Sequence, residues 1–127
     1  MTRHPLRIAL AAGGTGGHLF PAEALGKELT SRGQTLCWIT DERGAPRSQF
    51  LASQEKHIIS ARGLAGYGAL GRLTGALSLG VGVFQARRIL KDMQPDVVIG
   101  FGGYAAAPTL MAATHLGLKS VIHEQNA

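Results

Sequence analysis

Short apolar runs alternate with longer amphipathic stretches from one end of the chain to the other. Arg7-Ile8-Ala9-Leu10-Ala11 is an apolar run that ends in glycines and reads as a buried strand. Pro21 to Arg32 follows, with Ala22, Leu25 and Leu29 on one helical face; Pro21 suits a first helical turn and Gly33 the left-handed position after the last one. Thr35 to Thr40 is a second strand, Asp41 to Arg47 a polar loop, Ser48 to Lys56 a short helix and His57 to Ser60 a third strand. Ala61 to Gly71 is a glycine-rich loop. The helical pattern from Leu73 to Met93 is long, weakened by Gly75, Gly80 and Gly82, and places Arg87, Arg88 and Lys91 where a helix C-terminus favours cations. Pro95 stops it. Asp96 to Phe101 is almost entirely apolar, which predicts a central parallel strand. Beyond Gly102-Gly103-Tyr104 come a helix over Pro108 to Leu116, closed by Gly117, and a fifth strand over Ser120 to His123.

Strand and helix alternate throughout, which predicts an α/β fold: a Rossmann-like, doubly wound parallel sheet with helices on both faces. A length of 127 residues is that of one domain, with ordinary fractions of hydrophobic (45%) and charged (17%) residues. The 18 glycines gather in loop motifs and form no repeat, which excludes a collagen-like or linker composition. A single cysteine, Cys37, allows no intrachain disulfide and reads as a small core residue of the second strand. The formal charge of +5 fits a phosphorylated or anionic partner, but without charge blocks or interleaved aromatics it does not point to nucleic acid. The first residues lack a signal-peptide core, and the least polar stretch, Leu73 to Phe84, is too short to span a bilayer, so a soluble or peripheral protein is expected. The chain stops just after a strand, where such folds place ligand-binding residues, and this reads as a truncation.

The chemistry gathers in four places. Gly13-Gly14-Thr15-Gly16-Gly17-His18 leaves the first strand and enters a helix. Its glycines let backbone approach a ligand, and the helix start offers unpaired N–H groups suited to phosphate. It is neither a Walker A loop nor the G-x-G-x-x-G fingerprint, because Leu19 stands where the third glycine would fall. His18 is either a general base that takes a proton from a sugar hydroxyl or a helix-start histidine without chemistry. Gly102-Gly103-Tyr104 repeats the same logic at the fourth strand, and a diphosphate-linked sugar could lie across both loops. His123-Glu124-Gln125-Asn126 offers polar groups at the end of the fifth strand, without the helical H-E-x-x-H spacing of a metal site. Finally, apolar residues from Leu64 to Phe84 are ringed by Arg62, Arg72, Arg87 and Arg88, a composition able to rest on anionic lipid; Leu70, Arg72 and Leu73 are the residues expected to face it. The competing reading is a helix packed on the sheet.

In order, these motifs (the first glycine loop with Pro21-Ala22, Pro95 to Gly100, Gly102-Gly103-Tyr104 and His123 to Asn126) resemble the MurG family of N-acetylglucosaminyltransferases of bacterial cell-wall synthesis, from Arg7 to Ala127. The resemblance implies the N-terminal, acceptor-side domain of a GT-B glycosyltransferase over residues 1–127, with the C-terminal domain that holds most of the UDP donor absent. It implies inverting transfer of GlcNAc from UDP-N-acetylglucosamine to the MurNAc C4 hydroxyl of lipid I, giving lipid II. It further implies that Thr15, Gly16, Gly17 and Asn126 face the donor, that Gly13, Gly14, Gly102, Gly103, Tyr104 and Glu124 serve the acceptor side, and that His18 is the candidate base. No cofactor or metal is demanded, because backbone donors and helix dipoles can hold phosphates. The implied location is the cytoplasmic face of the bacterial inner membrane, on anionic inner-leaflet lipid. Two other readings compete: a non-catalytic lipid-docking subunit of a two-chain transferase, and, more weakly, a nicotinamide-dependent oxidoreductase with Asp41 as its only acidic candidate after the second strand.

Overall fold

The computed structural model describes residues 4–13, 16–43, 48–60 and 68–123. Strands β1 (Arg7–Ala11), β2 (Thr35–Thr40), β3 (Glu55–Ile58), β4 (Val97–Gly100) and β5 (Ser120–Ile122) form one parallel sheet in the order β3-β2-β1-β4-β5. The helices are α1 (Gly16–Ser31), α2 (Gln49–Ala52), α3 (Gly68–Met93) and α4 (Ala106–His115). β1 is central, registering Ile8 against Leu36 on one side and Val97 on the other.

The sheet is covered on both faces, as the apolar strands require. Ile8, Leu10, Leu36 and Trp38 pack with Leu19 and Ala22 of α1 and Leu51 of α2. The alternate strand positions Ala9, Cys37, Ile39 and Val98 pack with Ala86, Leu90 and Met93 of α3 and with Ala112 and Ala113 of α4. Burial pushes the Cys37 thiol up to about 12, with the Glu55 carboxylate adding to the effect and Arg7 opposing it. A loop contact also depends on this core: the buried Trp38 indole donates from Nε1 to the Ala12 carbonyl at 3.0 Å, fixing the backbone where the first glycine loop leaves β1.

Several boundaries depart from the sequence reading. α1 begins at Gly16, so Pro21 lies inside the helix and not in its first turn. The glycines themselves close into the opening turn, and a proline near a helix start forfeits only one intrahelical hydrogen bond. α2 is a single turn, capped by Ser48 Oγ accepting from Leu51 N at 3.1 Å, and the residues after it extend early into β3, which begins at Glu55 and not at His57. That exchange satisfies more backbone groups, since β3 pairs with β2 from Cys37↔Glu55 onward. α3 starts at Gly68 and continues through all of its glycines. Gly82 is buried there, and a Cβ on it would sit 2.9 Å from the Ser60 carbonyl oxygen, so it permits close packing. α4 starts at Ala106, ahead of Pro108.

Replacing Trp38 by Phe removes the donor to Ala12 and leaves a small void. A loss of about 2–4 kcal/mol is expected, read from urea denaturation by far-ultraviolet circular dichroism.

Candidate active site

The strand order places a topological switch point between β1 and β4, where the crossovers leave toward opposite faces of the sheet. Both glycine motifs leave from the carboxyl ends of these two adjacent strands, so pairing of β1 with β4 brings them together. Phe101 N donates to the Ala11 carbonyl at 2.9 Å and carries the ladder to the edge.

Beyond that bond the loops touch through residues without side chains. Gly102 and Gly103 have φ of 96° and 82°, a conformation that L side chains rarely adopt. A Cβ on Gly102 would lie 2.7 Å from His18 Cδ2 and 2.9 Å from Nε2. A Cβ on Gly103 would run into the Gly13 carbonyl oxygen and lie 3.3 Å from His18 Nδ1. The half-buried His18 ring, in the first turn of α1, is thus seated against the second loop.

Electrostatics favour an anion at this edge. α1 and α4 both begin here, and neither carries an acidic residue in its first turn that would cancel the partial positive charge of its N-terminus. Tyr104 stands half-exposed beside them, and the Arg43 guanidinium lies over its ring, 4.6 Å from the centroid. Arg43 is tethered below by Asp41: its backbone N–H donates to Asp41 Oδ1 at 2.9 Å, and its guanidinium stands 3.9 Å from Oδ2. Asp41 is buried beneath the first loop, where a Cβ on Gly13 would lie 3.0 Å from its carboxylate. Exposed Phe20 projects from the opening turns of α1. His123 directly follows β5 at the same edge, 5.4 Å from the Phe101 ring, with its N–H on the Gly100 carbonyl at 2.8 Å.

Of the residues singled out from sequence, Gly13, Gly16, Gly17, His18, Gly102, Gly103 and Tyr104 share this edge. Gly14, Thr15, Glu124 and Asn126 lie outside the described residues. Sequence reasoning missed the Asp41–Arg43–Tyr104 bridge. In sequence, the acid and the base of this bridge both fall in the polar loop Asp41 to Arg47, with Asp41 the only acidic candidate after the second strand; the signal available is the position of Asp41 and Arg43 directly after β2.

The apolar–basic stretch resolves into a stripe. Leu70, Leu73, Leu77, Val81 and Phe84 of α3 are exposed, between 50% and 78%, at helical spacings of three and four. Over these positions α3 rises roughly 21 Å. Arg72 is exposed beside the start of the stripe. The expectation of a helix packed on the sheet holds for the opposite face, through Ala86, Leu90 and Met93. Among the described residues no helix is long and apolar enough to cross a membrane.

The class of domain follows from these features: a doubly wound parallel sheet with two glycine motifs meeting at its switch point. Residues 8–127 match the glycosyltransferase family 28 N-terminal domain, and the chain belongs to that family. It is 54% identical over 123 residues to the UDP-N-acetylglucosamine–N-acetylmuramyl-(pentapeptide) pyrophosphoryl-undecaprenol N-acetylglucosamine transferase of Rhodospirillum rubrum, covering 97% of this chain and 32% of that protein. It is 56% identical over 126 residues to the protein of the same name from Paramagnetospirillum magneticum, covering 99% and 34%. The chain therefore spans about a third of the length of the curated relatives it matches. The crystal structure of Acinetobacter baumannii MurG superposes with a TM-score of 0.80 at 35% identity, over 95% of this chain and 35% of that one. The Rossmann-like fold is thus that of the N-terminal domain of GT-B glycosyltransferases.

Two glycines separate strain from collision. Gly33 has φ of 83° with nothing near its Cβ position, so Gly33→Ala should cost about 1 kcal/mol. Gly103→Ala adds collision with Gly13 and should cost about 2–4 kcal/mol, with displaced His18 imidazole resonances in heteronuclear NMR. Equal costs at the two sites would mean that the loops do not interlock.

Proposed function

We propose that the chain is the acceptor-side domain of an N-acetylglucosaminyltransferase that builds lipid-linked cell-wall disaccharide; its relatives are named as transferases of N-acetylglucosamine between UDP-N-acetylglucosamine and N-acetylmuramyl-(pentapeptide) pyrophosphoryl-undecaprenol. The carrying observation is the seating of His18 between two glycine motifs at the switch point, beside two uncancelled helix N-termini. In this reading the acceptor diphosphate lies over Gly13, Gly14, Gly102 and Gly103. It receives backbone N–H groups and the positive ends of α1 and α4, with Tyr104 and Glu124 lining the acceptor side.

His18 then acts as the general base. It accepts the proton of the MurNAc C4 hydroxyl as that oxygen attacks the anomeric carbon of UDP-GlcNAc, and UDP departs from the opposite face, inverting the configuration. Thr15, Gly16, Gly17 and Asn126 face the donor, most of which a second domain would hold over the cleft. That relatives three times as long carry a single transferase name supports an enzyme half over a docking subunit.

The exposed stripe of α3 starts with Leu70 and Leu73, close after the carboxyl edge of the sheet from which α3 departs. Laid on an anionic leaflet with Arg72 on lipid headgroups, it would bring the site down to a polyprenyl-linked acceptor at the cytoplasmic face of the inner membrane. Burial of the leucines and phenylalanine supplies the attraction, and Arg72 adds on the order of 1 kcal/mol.

The test joins the chain to the C-terminal portion of the Rhodospirillum rubrum relative and assays GlcNAc transfer to a lipid I analogue. His18→Ala should lower kcat by about 10²–10⁴-fold; an unchanged kcat removes His18 from the base role. Separately, Arg72→Glu with Leu73→Gln should weaken sedimentation with phosphatidylglycerol vesicles about tenfold or more, and unchanged binding places the membrane contact elsewhere.

A further inference from the structure

On edge strand β3, two strands away from β1, the β2–β3 register gathers a second set of reactive side chains. Cys37 registers against Glu55, and His57 follows two positions along on the same face of β3. That face is the one covered by α3, because Cys37 belongs to the core that includes Ala86, Leu90 and Met93. The Cys37 sulfur, a Glu55 oxygen and a His57 ring nitrogen all lie within 4.8 Å of one another. His57 Nε2 and Glu55 Oε1 are already 3.3 Å apart.

A tetrahedral Zn²⁺ site has bonds near 2.3 Å to sulfur and 2.0–2.2 Å to nitrogen and oxygen, which sets ligand–ligand separations of roughly 3.3–3.6 Å. The His57–Glu55 edge has that length, and the sulfur needs to close by about an ångström or less to complete the triangle. The same place has room: a cavity of about 410 Å³ opens between β3 and the end of α3, lined among others by Glu55, His57, Asp92, Arg7 and Arg88. A fourth position can thus be taken by water. With the thiolate formed, three negative groups (Cys37, Glu55, Asp92) face two guanidiniums, which leaves the pocket one negative charge and able to accept a dication.

We propose that Cys37, Glu55 and His57 form a binding site for a borderline divalent cation of the Zn²⁺ class, which ties edge strand β3 to β2 beneath α3. The thiol gives up its proton to water as the metal–sulfur bond forms, a deprotonation that a coordinated dication drives outright. The mixed sulfur, nitrogen and oxygen donors suit zinc or cobalt over magnesium or calcium, which take oxygen. The site is independent of sugar transfer, and its test does not rely on that reading.

The untagged chain, stripped of metal, is titrated with Co²⁺ and followed by absorption. Since Cys37 is the sole cysteine, a sulfur-to-cobalt charge-transfer band in the near ultraviolet reports this residue alone. The expected result is such a band saturating at one equivalent, bleached by Zn²⁺, with a higher melting temperature for the Zn²⁺ form. Cys37→Ser should abolish the band. His57→Gln and Glu55→Gln, at accessible positions that leave the core intact, should each weaken binding tenfold or more. Absence of the band up to millimolar Co²⁺ overturns the proposal. So does a band of unchanged affinity in both His57→Gln and Glu55→Gln, which remains decisive if Cys37→Ser fails to fold.

Discussion

The Gly103 backbone rests against the Gly13 carbonyl, and the His18 ring rests against Gly102. This backbone-on-backbone contact is the constraint around which the candidate site is arranged. Neighbouring parallel strands exit a sheet only about 4.8 Å apart, so two loops leaving β1 and β4 must share one narrow space. Side chains at the crossing would force them apart. Glycines at positive φ let them close, and the closure turns two separate turns into one floor with an imidazole set into it. The buried Trp38–Ala12 hydrogen bond and the buried Asp41 carboxylate under Gly13 hold that floor from below.

The parallel sheet also gives the domain two chemically distinct ends. Helices α1 and α4 start at the carboxyl edge, so their partial positive charges converge there with Arg43. Toward the amino end, Arg7 of β1 and the C-terminal turns of α3, with Arg88 and Asp92, meet Glu55 of edge strand β3 around a cavity. Charges of both signs meet there, and the buried Cys37 thiol lies close to Glu55 and His57. α3 runs the length between the two ends. It buries Ala86, Leu90 and Met93 inward and leaves a leucine-rich stripe outward.

Much of the architecture was legible along the chain. β1 and β2 fall where their apolar runs predict, Gly33 and Gly117 take the left-handed angles expected after their helices, and Cys37 is buried as read. Boundaries were less legible because they follow pairing partners and not local preference. β3 begins at Glu55 since β2 offers it hydrogen bonds, and α3 tolerates its glycines since Gly82 is needed to clear the Ser60 carbonyl. Both glycine motifs and His18 were visible as chemistry. The Asp41–Arg43–Tyr104 bridge was not, because its members come from loops after different strands.

The sequence by itself determined the alternation of elements, the covering of both sheet faces and the glycine-rich exits from β1 and β4, because periodicity and glycine content act locally. Strand order was decided only in three dimensions, since it depends on which apolar edges pair. With it came the meeting of His18 with Gly102 and Gly103, the stacking of Arg43 on Tyr104 and the approach of Cys37 to Glu55 and His57. Each of these contacts joins residues far apart in the chain, and no local pattern specifies them.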